Sequence, residues 1–239
     1  MATTETTSEI VSESSAQAAV ISSAESTALP ASVYARQQFA MKVIHITFEK
    51  GFENIISLLD KPPSDDLYNF IGYTRTWAIS LLAHHQTEDE VLFPKLQEKL
   101  DFSVEVTQHE VIHDVCTKYI RASTEMQQDT SKFDPAKLKS ILLEHKDVIF
   151  NHLNQEVADL DPERMKVFTE QEIADLTKAV NKQSKKSDPF TIFVYMRCHT
   201  PPEYKGFPPL PWFVRSFLVP WVFASKYSGY WKYAPYDLY

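Results

Sequence analysis

Four long segments of the chain repeat apolar residues in steps of three and four, the spacing that lines one face of an α-helix. In the first, about Ala31 to Leu59, the stripe is Met41, His45, Phe48, Phe52, Ile55 and Leu59. Lys61-Pro62-Pro63 closes it, because proline lacks an amide donor and restricts the residue before it. The second starts at Ser64 as N-cap, with Asp65 and Asp66 in a first turn that favours anions, and ends near Phe93-Pro94. Its stripe is Leu67, Phe70, Thr74, Trp77, Leu81, His84, Glu88 and Val91. The third runs from Ser103 to about Gln128 on Val106, His109, His113, Cys116 and Ile120. The fourth opens at Asp134-Pro135, an N-cap followed by proline at the first helical position, and stops at Asp161-Pro162. Its stripe is Leu138, Leu142, His145, Ile149, His152, Glu156 and Leu160. A capping box of Thr169 and Glu172, with Phe168 and Ile173 as a hydrophobic staple, announces a shorter fifth helix to about Lys182.

The pattern predicts an all-α fold: an up-down-up-down four-helix bundle, a short fifth helix and an aromatic, proline-rich C-terminal extension. The expected organisation is a disordered tail over 1–30, a bundle over 31–183 and an extension over 184–239 that packs on the bundle. With only 4 glycines in 239 residues, the chain lacks the turns and phosphate loops of a Rossmann-type or β-rich fold.

What changes this picture is the polar content of the stripes. A buried carboxylate costs several kcal/mol unless something compensates it, and a metal ion is one such compensation. His84 and Glu88 lie one turn apart, and His152 and Glu156 repeat their spacing. His109 and His113, also one turn apart, form a pair that can hold one metal from one helix face. His45 to His84 spans 39 residues, and so does His113 to His152. Each half is thus a helix with an inward histidine followed by a helix with inward His-x-x-x-Glu, the arrangement of dimetal sites inside four-helix bundles. The ligand set read this way is His45, His84, Glu88, His109, His113, His152 and Glu156. His85 and Asp89 fall off the stripe and read as flanking residues, and Cys116 as a small core residue. His145 faces inward two turns from His152, either as a hydrogen-bonded core histidine or as a proton relay. The halves differ at one place, where His109 has Met41 as its counterpart. Five imidazoles, two bridging carboxylates and an oxo or hydroxo bridge then leave one position of two octahedral irons open, on the Met41 side.

Charge and composition narrow the rest. A net charge of -8 excludes a general nucleic-acid surface. The two cysteines, Cys116 and Cys198, suggest no disulfide framework. No secretory signal or transmembrane run is apparent, so the expected location is cytoplasmic. Phe190 to Tyr239 is dense in rings and prolines. It reads either as a tail wrapping the bundle or, through Trp212, Phe213, Phe217, Leu218 and Trp221 within 207–224, as a peripheral membrane contact.

The chain resembles the hemerythrin family, in particular its HHE cation-binding domains in bacteria and fungi. The resemblance rests on His45, on His84-x-x-x-Glu88 followed by Leu92-Phe93-Pro94, on His109-x-x-x-His113, and on His152-x-x-x-Glu156 followed by Leu160 and Pro162. It covers about 31–180. Blood-type hemerythrins place an Asp one residue further along the last helix, whereas Glu156 keeps the HHE spacing. The resemblance implies a non-haem diiron centre that binds or senses dioxygen, iron or nitric oxide. The alternatives are a diiron oxidoreductase acting on a small organic molecule, with the ring-rich tail roofing its pocket, and a metal-stabilised interaction module that docks by its tail.

Overall fold

The computed structural model describes residues 28–238. The tail expected over 1–30 falls almost entirely outside them. The described residues form helices α1 (Val33–Asp60), α2 (Leu67–Thr87), α3 (Phe93–Leu96), α4 (Ser103–Gln128), α5 (Pro135–Leu143), α6 (Lys146–Asp159), α7 (Glu170–Ser184) and α8 (Ile192–His199), with no strand among them. A π-helical turn, Glu88–Leu92, joins α2 to α3, and a second π-helical segment, Val214–Phe223, lies in the C-terminal extension. The fold is the all-α bundle expected from the stripes. Among the described residues, no helix is long and apolar enough to cross a membrane.

Local chemistry sets most boundaries. Asp134 accepts a hydrogen bond from the Lys137 amide at 2.9 Å, with Pro135 opening α5. The Thr169 amide donates to Glu172, and the Glu172 amide donates to the Thr169 hydroxyl. Phe168 and Ile173 are both buried at that end of α7. Three boundaries depart from expectation. Helix α2 starts at Leu67 rather than after Ser64, because Asp66 is engaged elsewhere: it accepts from Asn69 at 2.7 Å, Tyr233 at 2.9 Å and Lys232 at 2.6 Å. The second helix does not run unbroken to Phe93. Pro94 offers no amide to the Glu90 carbonyl, and the helix widens by one residue over Glu88–Leu92. The fourth helix is broken at Glu144 and His145, where the sequence has no proline or glycine. His145 is therefore a half-buried junction residue whose Nδ1 has no partner, not a hydrogen-bonded core histidine.

The core is divided. One apolar cluster contains Phe48, Phe52, Leu81, Ile112, Cys116 and Leu153; the other contains Met41, Leu92, Phe93, Phe102, Leu160 and Phe168. Each of the four main strokes of the chain crosses from one cluster to the other. The crossing falls between Met41 and Phe48, between Leu81 and Leu92, between Phe102 and Ile112, and between Leu153 and Leu160. The polar stripe residues occupy those four intervals, as one layer between two hydrophobic slabs.

The C-terminal extension packs on the first hairpin. Tyr195, Cys198 and His199 of α8 are buried, and the Tyr195 ring stacks on Phe48 at 5.7 Å. Gly51 makes this approach possible, since a Cβ there would overlap the Tyr195 hydroxyl. Further along, Val219 and Pro220 are buried while Trp212, Phe213, Phe217 and Trp221 point outward.

Candidate metal centre

The polar layer holds two facing histidine pairs. His45 Nε2 lies 3.1 Å from His84 Nε2, and His109 Nε2 lies 3.1 Å from His152 Nε2. In three of these rings the other nitrogen is committed. His45 Nδ1 donates to the Leu153 carbonyl at 2.6 Å, and His109 Nδ1 to the Asp89 carboxylate at 2.7 Å. His152 Nδ1 donates to the Gln108 side-chain oxygen at 3.1 Å. A neutral imidazole carries one proton, so His45, His109 and His152 each turn a bare Nε2 lone pair into the layer. The His109 and His152 lone pairs therefore face each other with nothing between them. Two lone pairs repel at that distance unless a cation lies between, and about 3 Å is the spacing of neighbouring nitrogens on one ion at roughly 2.1 Å. An acceptor on the far nitrogen is also the usual device that fixes a metal-binding histidine's tautomer and orientation.

Two carboxylates tie the pairs together. Glu88 places Oε1 3.1 Å from His84 Nε2 and Oε2 3.7 Å from His109 Nε2. Glu156 Oε2 lies 3.3 Å from His45 Nε2 and 3.7 Å from His152 Nε2. All four carboxylate oxygens are buried without a hydrogen-bond partner. The π-helical turn begins at Glu88, so the widened backbone delivers Glu88 inward and Asp89 toward His109.

Burial shapes the protonation of every group. It pushes Glu156 up to about 8 and Glu88 well above the usual carboxylate range, in Glu88 with repulsion from Glu156 as the next cause. It pushes His45 down to about 4 and His152 to about 2, and lowers His84 and His85 well below the usual imidazole range. The imidazoles are thus held in the neutral form that ligates. The carboxylates lack the positive charge that would let them ionise at low cost. Orphaned carboxylate oxygens, facing lone pairs and neutral imidazoles fit a cation-binding set of nitrogen and oxygen donors.

Six of the seven sequence-assigned residues converge in the layer: His45, His84, Glu88, His109, His152 and Glu156. His113 stands at the rim, its side chain 31% exposed and its Nε2 3.6 Å from Asp89 Oδ2. It lines a cleft of about 310 Å³ with Asp89, Phe93, Pro94, Gln97, Val106, His109 and Glu110. The layer thus opens to solvent beside His109, whereas Met41 is sealed in the second apolar cluster. His85, expected on a flank, is fully buried inside the layer and grouped with His109 and His152. The signal that finds it is a second stripe on the same helix, Ile71, Ala78, His85 and Leu92, whose members are all buried. Cys116 is a buried core thiol, its pKa pushed up to about 12 by burial.

The comparisons with known proteins agree with the geometry. The family model described as the hemerythrin HHE cation binding domain matches residues 39–162. A curated relative is "Dimeric xanthone biosynthesis cluster protein R11" of Cryptosporiopsis sp. (strain 8999). It is 25% identical over 186 residues, covering 72% of this chain and 68% of that protein. No solved structure matches the chain. With the matched region spanning all four intervals of the polar layer, the chain belongs to the hemerythrin HHE cation binding domain family.

Proposed function

We propose that this chain is a non-haem diiron protein whose buried His/Glu layer binds dioxygen or a related small ligand, as a carrier or a sensor. The observation that carries the reading is that each carboxylate spans both histidine pairs. Glu88 reaches His84 and His109, and Glu156 reaches His45 and His152. Two ions sharing two carboxylates satisfy both pairs at once, which a single ion at either pair does not. His45 and His84 would hold one ion, and His109 and His152 the other. A pair of irons bound there supplies a redox centre reactive toward dioxygen, and imidazole-rich ligation favours the reduced and bridged states.

The chain's own residues set the conditions. Leu153, Asp89 and Gln108 hold the protons on the far nitrogens of His45, His109 and His152. The two apolar slabs exclude water from the layer, and the cleft beside His109 admits small molecules. Optical spectra of anaerobically iron-loaded protein, taken through cycles of oxygen addition and removal, test the reading. An iron-dependent band that appears with oxygen and bleaches on its removal supports carriage. Irreversible oxidation within one cycle contradicts it.

The cleft also favours a second reading, a diiron oxidoreductase acting on a small organic molecule. Phe93, Pro94 and Val106 give it an apolar wall, and Asp89, Gln97, Glu110 and His113 give it polar groups. Its volume suits a small ligand, and the curated relative carries a biosynthesis cluster in its name. Iron-dependent oxygen uptake in the presence of small aromatic candidates supports it. Identical uptake when Val106→Trp fills the cleft counts against it.

A further inference from the structure

We propose that His85, and not His113, is the third imidazole for the metal position at His109 and His152, and that His113 is a residue of the cleft mouth. The inference rests on the dinuclear reading above and specifies its ligands further. His85 is 0% exposed, and neither of its ring nitrogens has a hydrogen-bond partner. A buried polar atom left without a partner costs about 1–3 kcal/mol. Coordination supplies the partner that no protein group provides for one of these nitrogens.

The ring is also in place. It stacks on His109 with centroids 3.9 Å apart and planes 11° apart, and its centroid lies 4.9 Å from that of His152. His85, His109 and His152 each offer a ligand atom within 4.8 Å of the other two. All three are buried, whereas His113 is grouped only with Asp89 and His109 and is partly open to solvent. Asp89 receives the Nδ1 proton of His109 at 2.7 Å and holds His113 Nε2 at 3.6 Å. His113 is thus drawn toward the carboxylate at the rim, away from the layer. The imidazole count of the centre is unchanged by this exchange, but helix α2 then contributes a ligand to each metal, His84 to one and His85 to the other.

The experiment compares the full chain with His85→Phe and His113→Ala after anaerobic loading with ferrous ion. The readouts are metal per chain and the stepwise affinity of each ion. Phenylalanine keeps the stacked ring and removes only the nitrogens, so packing and ligation are separated. The wild type is expected to take up two irons and His113→Ala also two. His85→Phe is expected to hold one iron tightly and bind the second more than about 100-fold more weakly, beyond the loss seen for groups that merely orient a ligand. Far-ultraviolet circular dichroism and the melting temperature of the metal-free form confirm folding, and His85→Gln repeats the comparison should the phenylalanine variant unfold. Two tightly held irons in the His85 variants overturn the proposal. So does an equal loss in His113→Ala. Absence of iron from the wild type defeats the dinuclear reading itself and is thereby distinguished from failure of the ligand exchange.

Discussion

Two groups of buried polar side chains sit in this bundle, and their bookkeeping differs. Beside the C-terminal helix, Asn54 Nδ2 donates to the Tyr73 hydroxyl at 2.7 Å and to the Tyr233 carbonyl at 2.9 Å. His199 Nδ1 donates to the Tyr195 carbonyl at 2.8 Å, which leaves Nε2 to accept from the Tyr73 hydroxyl at 2.8 Å. Every ring nitrogen and hydroxyl of that chain is matched by another protein group. In the layer between the two apolar slabs, four carboxylate oxygens and both nitrogens of His85 have none. Both groups are buried by the same helices, so burial alone does not make a site. A network that closes on itself holds the fold together, and one that does not is built for a guest.

The largest expected effect breaks the open group. Glu156→Ala removes a carboxylate from both metal positions, so iron falls from two per chain to at most one. The stabilisation by iron falls with it. In the wild type that stabilisation is about 4 kcal/mol at a thousandfold excess of free iron over Kd, read as the difference in unfolding free energy between loaded and metal-free protein.

Next comes the closed group. His199→Phe leaves the Tyr73 hydroxyl without its acceptor and is expected to cost about 1–3 kcal/mol of stability. Its iron content stays at two, and a fall in iron would show that the two groups are not separate. Asp89→Asn tests the support of the open group. It weakens the hold on His109 Nδ1, and iron affinity is expected to drop by about 10- to 100-fold while the fold persists. Isothermal titration under nitrogen measures it.

The smallest effect is in pH. Burial pushes the His199 pKa down to about 3, below the ordinary 6.5. The folded state therefore binds fewer protons than the unfolded state between those values, and stability falls as pH drops through that window. The contribution of His199 is about 1.4 kcal/mol per pH unit. Denaturant midpoints of metal-free wild type and His199→Phe should converge by that amount per unit as pH falls below 6.5. Parallel curves would place the titration elsewhere.

Much of this architecture was legible in the spacing of apolar residues. The third helix runs from Ser103 to Gln128 as expected, and the Asp134-Pro135 and Thr169–Glu172 signals mark true helix starts. The polar members of the stripes located the layer, because a carboxylate at a stripe position has few reasons to be there. His85 escaped because a one-stripe reading allows a helix one buried face. Helix α2 is buried on most sides, with Ile71, Tyr73, Trp77, Ala78 and Leu81 all inaccessible. The break at Glu144 and His145 escaped because no proline or glycine marks it. The π-helical turn at Glu88 had a visible cause in Pro94, but its consequence, the delivery of Asp89 to His109, depends on the partner helix.

The most direct test of the dinuclear layer is a count. Metal-free chain is titrated with ferrous ion under nitrogen, freed of excess, and analysed for iron and protein. The account predicts two irons per chain, both lost together in the double variant Glu88→Ala, Glu156→Ala. One iron or none in the wild type, or two retained in that variant, would contradict it.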